Sequence, residues 1–114
     1  MTRIDAHQHY WRVARGDYSW MGPAVAPLCR DFLPAELEPL LTAHGFGGSV
    51  VVQAAPTLAE TQFSIGLADE HPSILAVVGW VDLEQEPGRD LELLAAHPKL
   101  KGVRPMLQDL PDDA

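Results

Sequence analysis

Near the start of the chain, Ile4–Tyr10 reads IDAHQHY, which sets Asp5, His7 and His9 at alternate positions. Alternate residues of an extended strand face the same way, so His7 and His9 aim two imidazoles at one point, a workable pair for one divalent ion such as zinc or manganese. The plainer use of such a pair is a hydrogen-bonded polar contact at a strand end. The D-x-H-x-H form favours the metal reading here, because it opens what reads as a parallel α/β chain and precedes a loop rich in aromatic residues. Two imidazoles fall one ligand short of an open three-ligand zinc site, so a complete centre needs a further donor.

Other residues are candidates for holding a substrate. Arg104 is an arginine inside a strand run (KGVRPML), and its planar fork suits a carboxylate or a hydroxyl; the competing role is an ion pair with an acidic partner. Gln53 and Gln108 close strand runs at the same rim, where an amide either orients substrate or caps neighbouring backbone. Trp11 and Trp20 stand in the long loop after the first strand and could wall a pocket or merely cover the sheet. Asp82 reads as structural. His44 precedes Gly45, and His71 and His97 each precede a proline, so these three read as helix terminators whose cations complement the helix dipole. Cys29 has no histidine near it in sequence and is assigned to loop packing rather than nucleophilic work.

These side chains have to be positioned by regular elements, and apolar period and breakers predict which ones. Arg3–His9 alternates as a strand, with Ile4, Ala6 and Gln8 opposite Asp5, His7 and His9. Pro34–His44 is a predicted helix, with proline in its first turn and Gly45 past its end, although Pro39 lies inside it. Gly48–Ala54 is a β-branched run of the kind buried in parallel sheets. Thr57–His71 opens with TLAE, which reads as a capping box with Thr57 as cap and Glu60 three residues on. The cycle repeats with a strand at Ile74–Val81, a helix at Gly88–His97 and a poorer strand at Lys101–Leu107, whose Pro105 belongs at a bulge or near the strand end. Single helices between strands imply βαβ crossovers and a parallel sheet, hence an α/β fold. The connection Trp11–Phe32 is the exception, since loops beyond about 12–15 residues are usually functional or disordered; its aromatics argue for order.

Composition narrows the function classes. A formal charge of -8, with eight scattered Lys and Arg, argues against nucleic acid as a partner. The single cysteine excludes an intrachain disulfide and a thiolate zinc cluster and fits the cytoplasm. The first fifteen residues lack the basic-then-apolar order of a signal peptide, and no run approaches the roughly 18 apolar residues of a membrane span. The chain of 114 residues reads as one domain.

Taken together, IDAHQHYW at 4–11, YSWM at 18–21, VVVQAAPTLAET at 50–61, GWVDL at 79–83 and KGVRPMLQD at 101–109 resemble the amidohydrolase superfamily. Within it, they resemble the lactonase-like branch of fuconolactone and related sugar-lactone hydrolases. The resemblance implies a (β/α)8 barrel with the histidine pair ending its first strand, and further histidines and a catalytic aspartate on later strands. It implies hydrolysis of a sugar-acid lactone, a small-molecule ester, by activated water, with metal dependence that varies among members. RPMLQD departs from the RHxxQ pattern of relatives at Pro105, which leaves the specific substrate open.

A barrel of this type needs about 250 residues, whereas four strands and three helices are legible here. The expectation is therefore the amino-terminal half of a barrel, a single domain over 1–114 truncated after strand four, with the catalytic base beyond Ala114. The site of the isolated chain would be incomplete, and its two open sheet edges would invite self-association. Two further classes stay open. One is a metal-dependent nonoxidative decarboxylase of an aromatic acid, which uses a similar histidine pair. The other is a non-catalytic binding module or flavodoxin-like domain, although no glycine-rich phosphate loop follows strand one.

Overall fold

A computed structural model describes residues 2–84, 88–107 and 111 of the chain. Four strands, β1 (Arg3–Gln8), β2 (Phe46–Val52), β3 (Ile74–Gly79) and β4 (Leu100–Val103), alternate with the helices α1 (Pro34–Ala43), α2 (Leu58–Glu70) and α3 (Gly88–Ala95). The strands form one sheet in the order β1-β2-β3-β4, and every pairing is parallel. This is the α/β, half-barrel-like succession the sequence predicts. No helix among the described residues is long and apolar enough to cross a membrane.

Local chemistry accounts for the helix ends. Thr57 adopts extended geometry and its hydroxyl accepts the Glu60 N–H at 3.0 Å, capping α2. Past α1, the cap His44 N–H returns to Leu40 and Leu41 carbonyls, and Gly45 takes the left-handed φ of 77° that a side chain would resist. Pro39 removes the N–H that would reach Ala35, yet α1 continues to Ala43.

Burial divides the sheet by strand. Gly48, Ser49, Val51 and Val52 of β2 and Ile74, Val77 and Gly79 of β3 are buried, while on β1 Ile4 is 44% exposed and Ala6 is exposed too, as befits an edge strand with only one neighbour. The main core packs Tyr10, Val51, Ile74 and Val77 against Leu67 and Ala68 of α2, with Leu37 of α1 and Leu100 of β4 at its margin. A second cluster, Tyr18, Ala54 and Ala55 with Trp11, Trp20 and Met21, sits at the carboxyl end of β2.

Several elements differ from expectation: β1 stops at Gln8 and not His9, β2 runs Phe46–Val52 and not Gly48–Ala54, and β3 stops at Gly79 and not Val81. β1 carries a register slip between Asp5 and Gln8, which breaks strict alternation: the Gln8 amide donates to Asp5 Oδ2 at 2.8 Å, so these two side chains meet instead of facing apart. β4 ends at Val103, four residues earlier than predicted; the Arg104 N–H still bonds Gly79 O at 2.8 Å, and Pro105, with no N–H to give, lies beyond the ladder. α3 ends at Ala95, with His97 beyond it.

Candidate active site

The sheet delivers His7 and His9 to its carboxyl end. Their Nε2 atoms stand 3.1 Å apart with rings edge to face, so the two imidazoles do converge. His9 Nδ1 lies 2.9 Å from the Val52 carbonyl on β2. A carbonyl only accepts, so Nδ1 carries the proton and neutral His9 offers its Nε2 lone pair outward. Burial holds the His9 pKa below its usual value; the Val52 bond opposes this, and the nearby His7 and Arg104 charges reinforce it. His9 is therefore a neutral, oriented donor at neutral pH. At 3.1 Å separation, one ion at the usual nitrogen–metal distance of about 2.0–2.1 Å can touch both Nε2 atoms. Asp5 does not join them: its two oxygens accept the His7 backbone N–H at 3.2 Å and the Gln8 amide. Among the described residues, no group of three or more His, Cys, Asp or Glu side chains gathers at one point.

Arg104 follows β4 directly, and its guanidinium is held by Gln53 at the end of β2. Nε donates to Gln53 Oε1 at 3.1 Å, and Nη2 donates to that same oxygen and to the Gln53 carbonyl at 2.9 Å. No acidic residue among the described ion pairs engages Arg104. Gln53 is fully buried and its amide nitrogen bonds Ala55 O at 3.4 Å. Its side-chain oxygen thus accepts two hydrogen bonds from Arg104. Gln108 lies outside the described residues.

The long loop is ordered. Trp11 and Phe32 close its ends with two backbone hydrogen bonds of 3.0 Å, and 3-10 turns at Val13–Arg15 and Pro23–Leu28 shape it between. Trp11 gives its indole N–H to the Leu28 and Arg30 carbonyls and packs edge-on against Trp20, 5.1 Å between ring centres. It braces the loop. Trp20 donates to Ala54 O at 2.8 Å and lines a groove of about 420 Å³ with Trp80, Asp82, Glu84, Pro105 and Met106. His7, His9 and Arg104 do not line that groove; His9 instead borders a second one of about 320 Å³, against Tyr10, Phe32 and α1. Trp80 is held by Thr61 of α2, whose hydroxyl accepts the Trp80 N–H at 2.8 Å and donates to the Trp80 carbonyl at 2.7 Å.

Sequence reasoning missed a polar hub beneath this loop. Glu60 is fully buried; its carboxylate does not return to Thr57 as a capping box would, but accepts from Ala54 N–H, from Arg15 Nη1 at 2.8 Å and from Tyr18 Oη at 3.1 Å. Arg15 also pairs with Asp17 at 2.9 Å, and the Thr57 hydroxyl donates to Asp17. Burial raises the Glu60 pKa above the usual carboxyl range, and burial followed by the Glu60 charge pushes Tyr18 up to about 12. The only local signal was TLAE, which points at the helix terminus and not inward.

The other residues singled out in the sequence make local contacts, and Asp82 also lines the groove beside Trp20. Asp82 accepts the Glu84 N–H at 3.0 Å. His71 bonds Glu38 of α1 at 3.1 Å and His97 bonds Asp69 of α2 at 2.6 Å, so both tie helices together as well as closing them. The exposed Cys29 thiol makes only long contacts to Gly22 and Val25 carbonyls.

No protein-family model matches the chain. It is 46% identical over 112 residues to an L-fucono-1,5-lactonase of Burkholderia ambifaria, covering 97% of this chain and 39% of that protein. It is 43% identical over 110 residues to an L-fucono-1,5-lactonase of Burkholderia multivorans, covering 96% and 37% respectively. Among solved structures, an amidohydrolase from Burkholderia multivorans with bound zinc superposes with a TM-score of 0.89 at 42% identity, over 98% of this chain and 39% of that one. The chain therefore spans well under half the length of the proteins it matches.

Proposed function

We propose, from the premise that this chain matches the amino-terminal portion of the lactonase-like amidohydrolases, that it supplies one side of the active site of a lactone hydrolase. The substrate is a sugar-acid lactone of the L-fuconolactone kind, opened by water. The observation that carries this reading is the oriented pair, His7 and His9, with Nε2 atoms 3.1 Å apart.

In this reading His7 and His9 hold one divalent ion, zinc or manganese, and the zinc of the Burkholderia multivorans structure supports that choice. Such an ion, when bound, supplies Lewis acidity toward a carbonyl oxygen or an acidified water. Val52 fixes the His9 ring so that Nε2 faces the ion. Arg104, held by Gln53, binds a substrate carboxylate or hydroxyl through the guanidinium edge that Gln53 leaves free. Trp20 offers an apolar wall for the ring, and Trp11 keeps that wall in place. The catalytic base comes from outside residues 1–114. Residues 1–114 act as one unit of the larger site, in a cytoplasmic protein whose partner is the small-molecule lactone.

The test is acid release from L-fucono-1,5-lactone and other aldonolactones, followed in weakly buffered solution on the protein that carries this segment, with elemental analysis of material prepared without chelator. Expected are one divalent ion per protein and a loss of kcat/KM of at least about a hundredfold in His7→Ala and His9→Ala. Full activity in both variants would sink the reading.

A further inference from the structure

We propose that Glu60 is a positioning residue for substrate binding: acting through Arg15 and Tyr18, it fixes the Arg15–Met21 strap so that Trp20 stands as a wall of the groove, and it sets affinity for the lactone ring rather than the rate of its opening. This inference rests on the lactonase reading above.

The geometry begins with a carboxylate that has no exposed surface. A buried charge persists only where donors surround it, and Glu60 gathers donors from two separate segments: the Ala54 N–H after β2, and Arg15 and Tyr18 from the strap. Arg15 is steadied in turn. Its guanidinium lies 4.6 Å from the centre of the Phe63 ring on α2 and pairs with Asp17. The strap is thus tied to α2 through the buried Glu60 carboxylate.

Trp20 connects this hub to the groove. Its indole N–H bonds the Ala54 carbonyl at 2.8 Å, while the N–H of the same residue, Ala54, goes to Glu60. One peptide unit's neighbourhood therefore fixes both the carboxylate and the indole. Tyr18, which donates to Glu60, packs on Trp20 with ring centres 5.8 Å apart. The indole then lines the groove with Trp80, Pro105, Met106 and the Asp82 carboxylate. Flat aromatic faces beside a carboxylate suit a hydroxylated ring, whose C–H face lies on the indole while its hydroxyls donate to oxygen. Moving Trp20 changes that contact without moving His7, His9 or Arg104, none of which borders the groove.

The experiment compares Glu60→Gln and Arg15→Gln with the unaltered full-length protein by lactone kinetics and by hydrogen exchange across residues 14–21. Expected for either variant is faster exchange in the strap, KM raised about tenfold, and kcat within about threefold of the parent. A fall in kcat at unchanged KM, or strap exchange that does not change, would overturn the proposal. Should Glu60→Gln fail to fold, the partly exposed Arg15 position decides by the same two readings. Should the unaltered protein open no lactone, the lactonase reading is lost, and strap exchange alone decides the positioning role: faster exchange supports it and unchanged exchange refutes it.

Discussion

A carboxylate sealed from water must be either surrounded by donors or protonated, and Glu60 stands close to that balance. Ala54 N–H, Arg15 and Tyr18 Oη all favour its charged form, while burial, the larger effect, raises its pKa above the 4.5 of an ordinary glutamate. Above pH 4.5 the native state then binds more protons than the unfolded chain, up to the native pKa. Stability from this group is therefore fully present below pH 4.5 and falls as pH rises through the native value. Measured as urea midpoints, the advantage of the unaltered protein over Glu60→Gln should shrink as pH rises above 4.5. An advantage that grows with that rise would mean the three donors outweigh burial. The contrast with His7 and His9 shows what a sequence can tell at this scale. Their convergence was legible from their spacing of two, although His9 stands just past the end of β1, whereas Arg15 and Tyr18, the side-chain partners of Glu60, lie 45 and 42 residues away and leave no local trace. Asp5 shows the limit of the same rule, since one register slip in β1 turned it toward Gln8.

At the level of elements, the alternation of strand and helix was legible because each boundary has its own chemistry: Gly45 at positive φ past α1, Thr57 as the cap of α2, and Pro105 where β4 has already ended. The inward turn of Glu60 and the support of Trp80 by Thr61 were not legible, because they depend on how α2 lies against the sheet and not on its period. Thr57 belongs to both accounts. Its hydroxyl accepts the Glu60 N–H at 3.0 Å and donates to Asp17, so one side chain closes the helix and joins it to the strap. Thr57→Ala should cost about 1–2 kcal/mol in urea unfolding, an N-cap plus part of a charge-assisted bond, while Thr57→Ser, which keeps the hydroxyl, should stay within about 0.5 kcal/mol. Equal losses in the two variants would assign the effect to the lost methyl and not to capping.

For the molecule as a whole, the decisive feature is a sheet with two open sides. β1 pairs only with β2 and β4 only with β3 among the described residues, which leaves a row of backbone donors and acceptors on each outer edge. The relatives it resembles are longer, the chain covering 39% and 37% of them, and a closed barrel would pair both rows. Handled alone, the 114-residue chain leaves those rows to water or to a second copy, and open edges recruit further strands. The 44% exposure of Ile4 on β1 adds an apolar incentive at that edge. Sedimentation of the isolated chain at micromolar concentration should therefore show dimers or larger species. Ile4→Lys, a charge on the exposed edge strand, should shift the distribution toward monomer, because a second strand could then pair only by burying an ammonium. In a closed barrel the same substitution should leave the assembly state unchanged, since β1 there would already have a second neighbour. An isolated chain that sediments as a monomer and unfolds cooperatively would show instead that four strands and three helices satisfy their own edges.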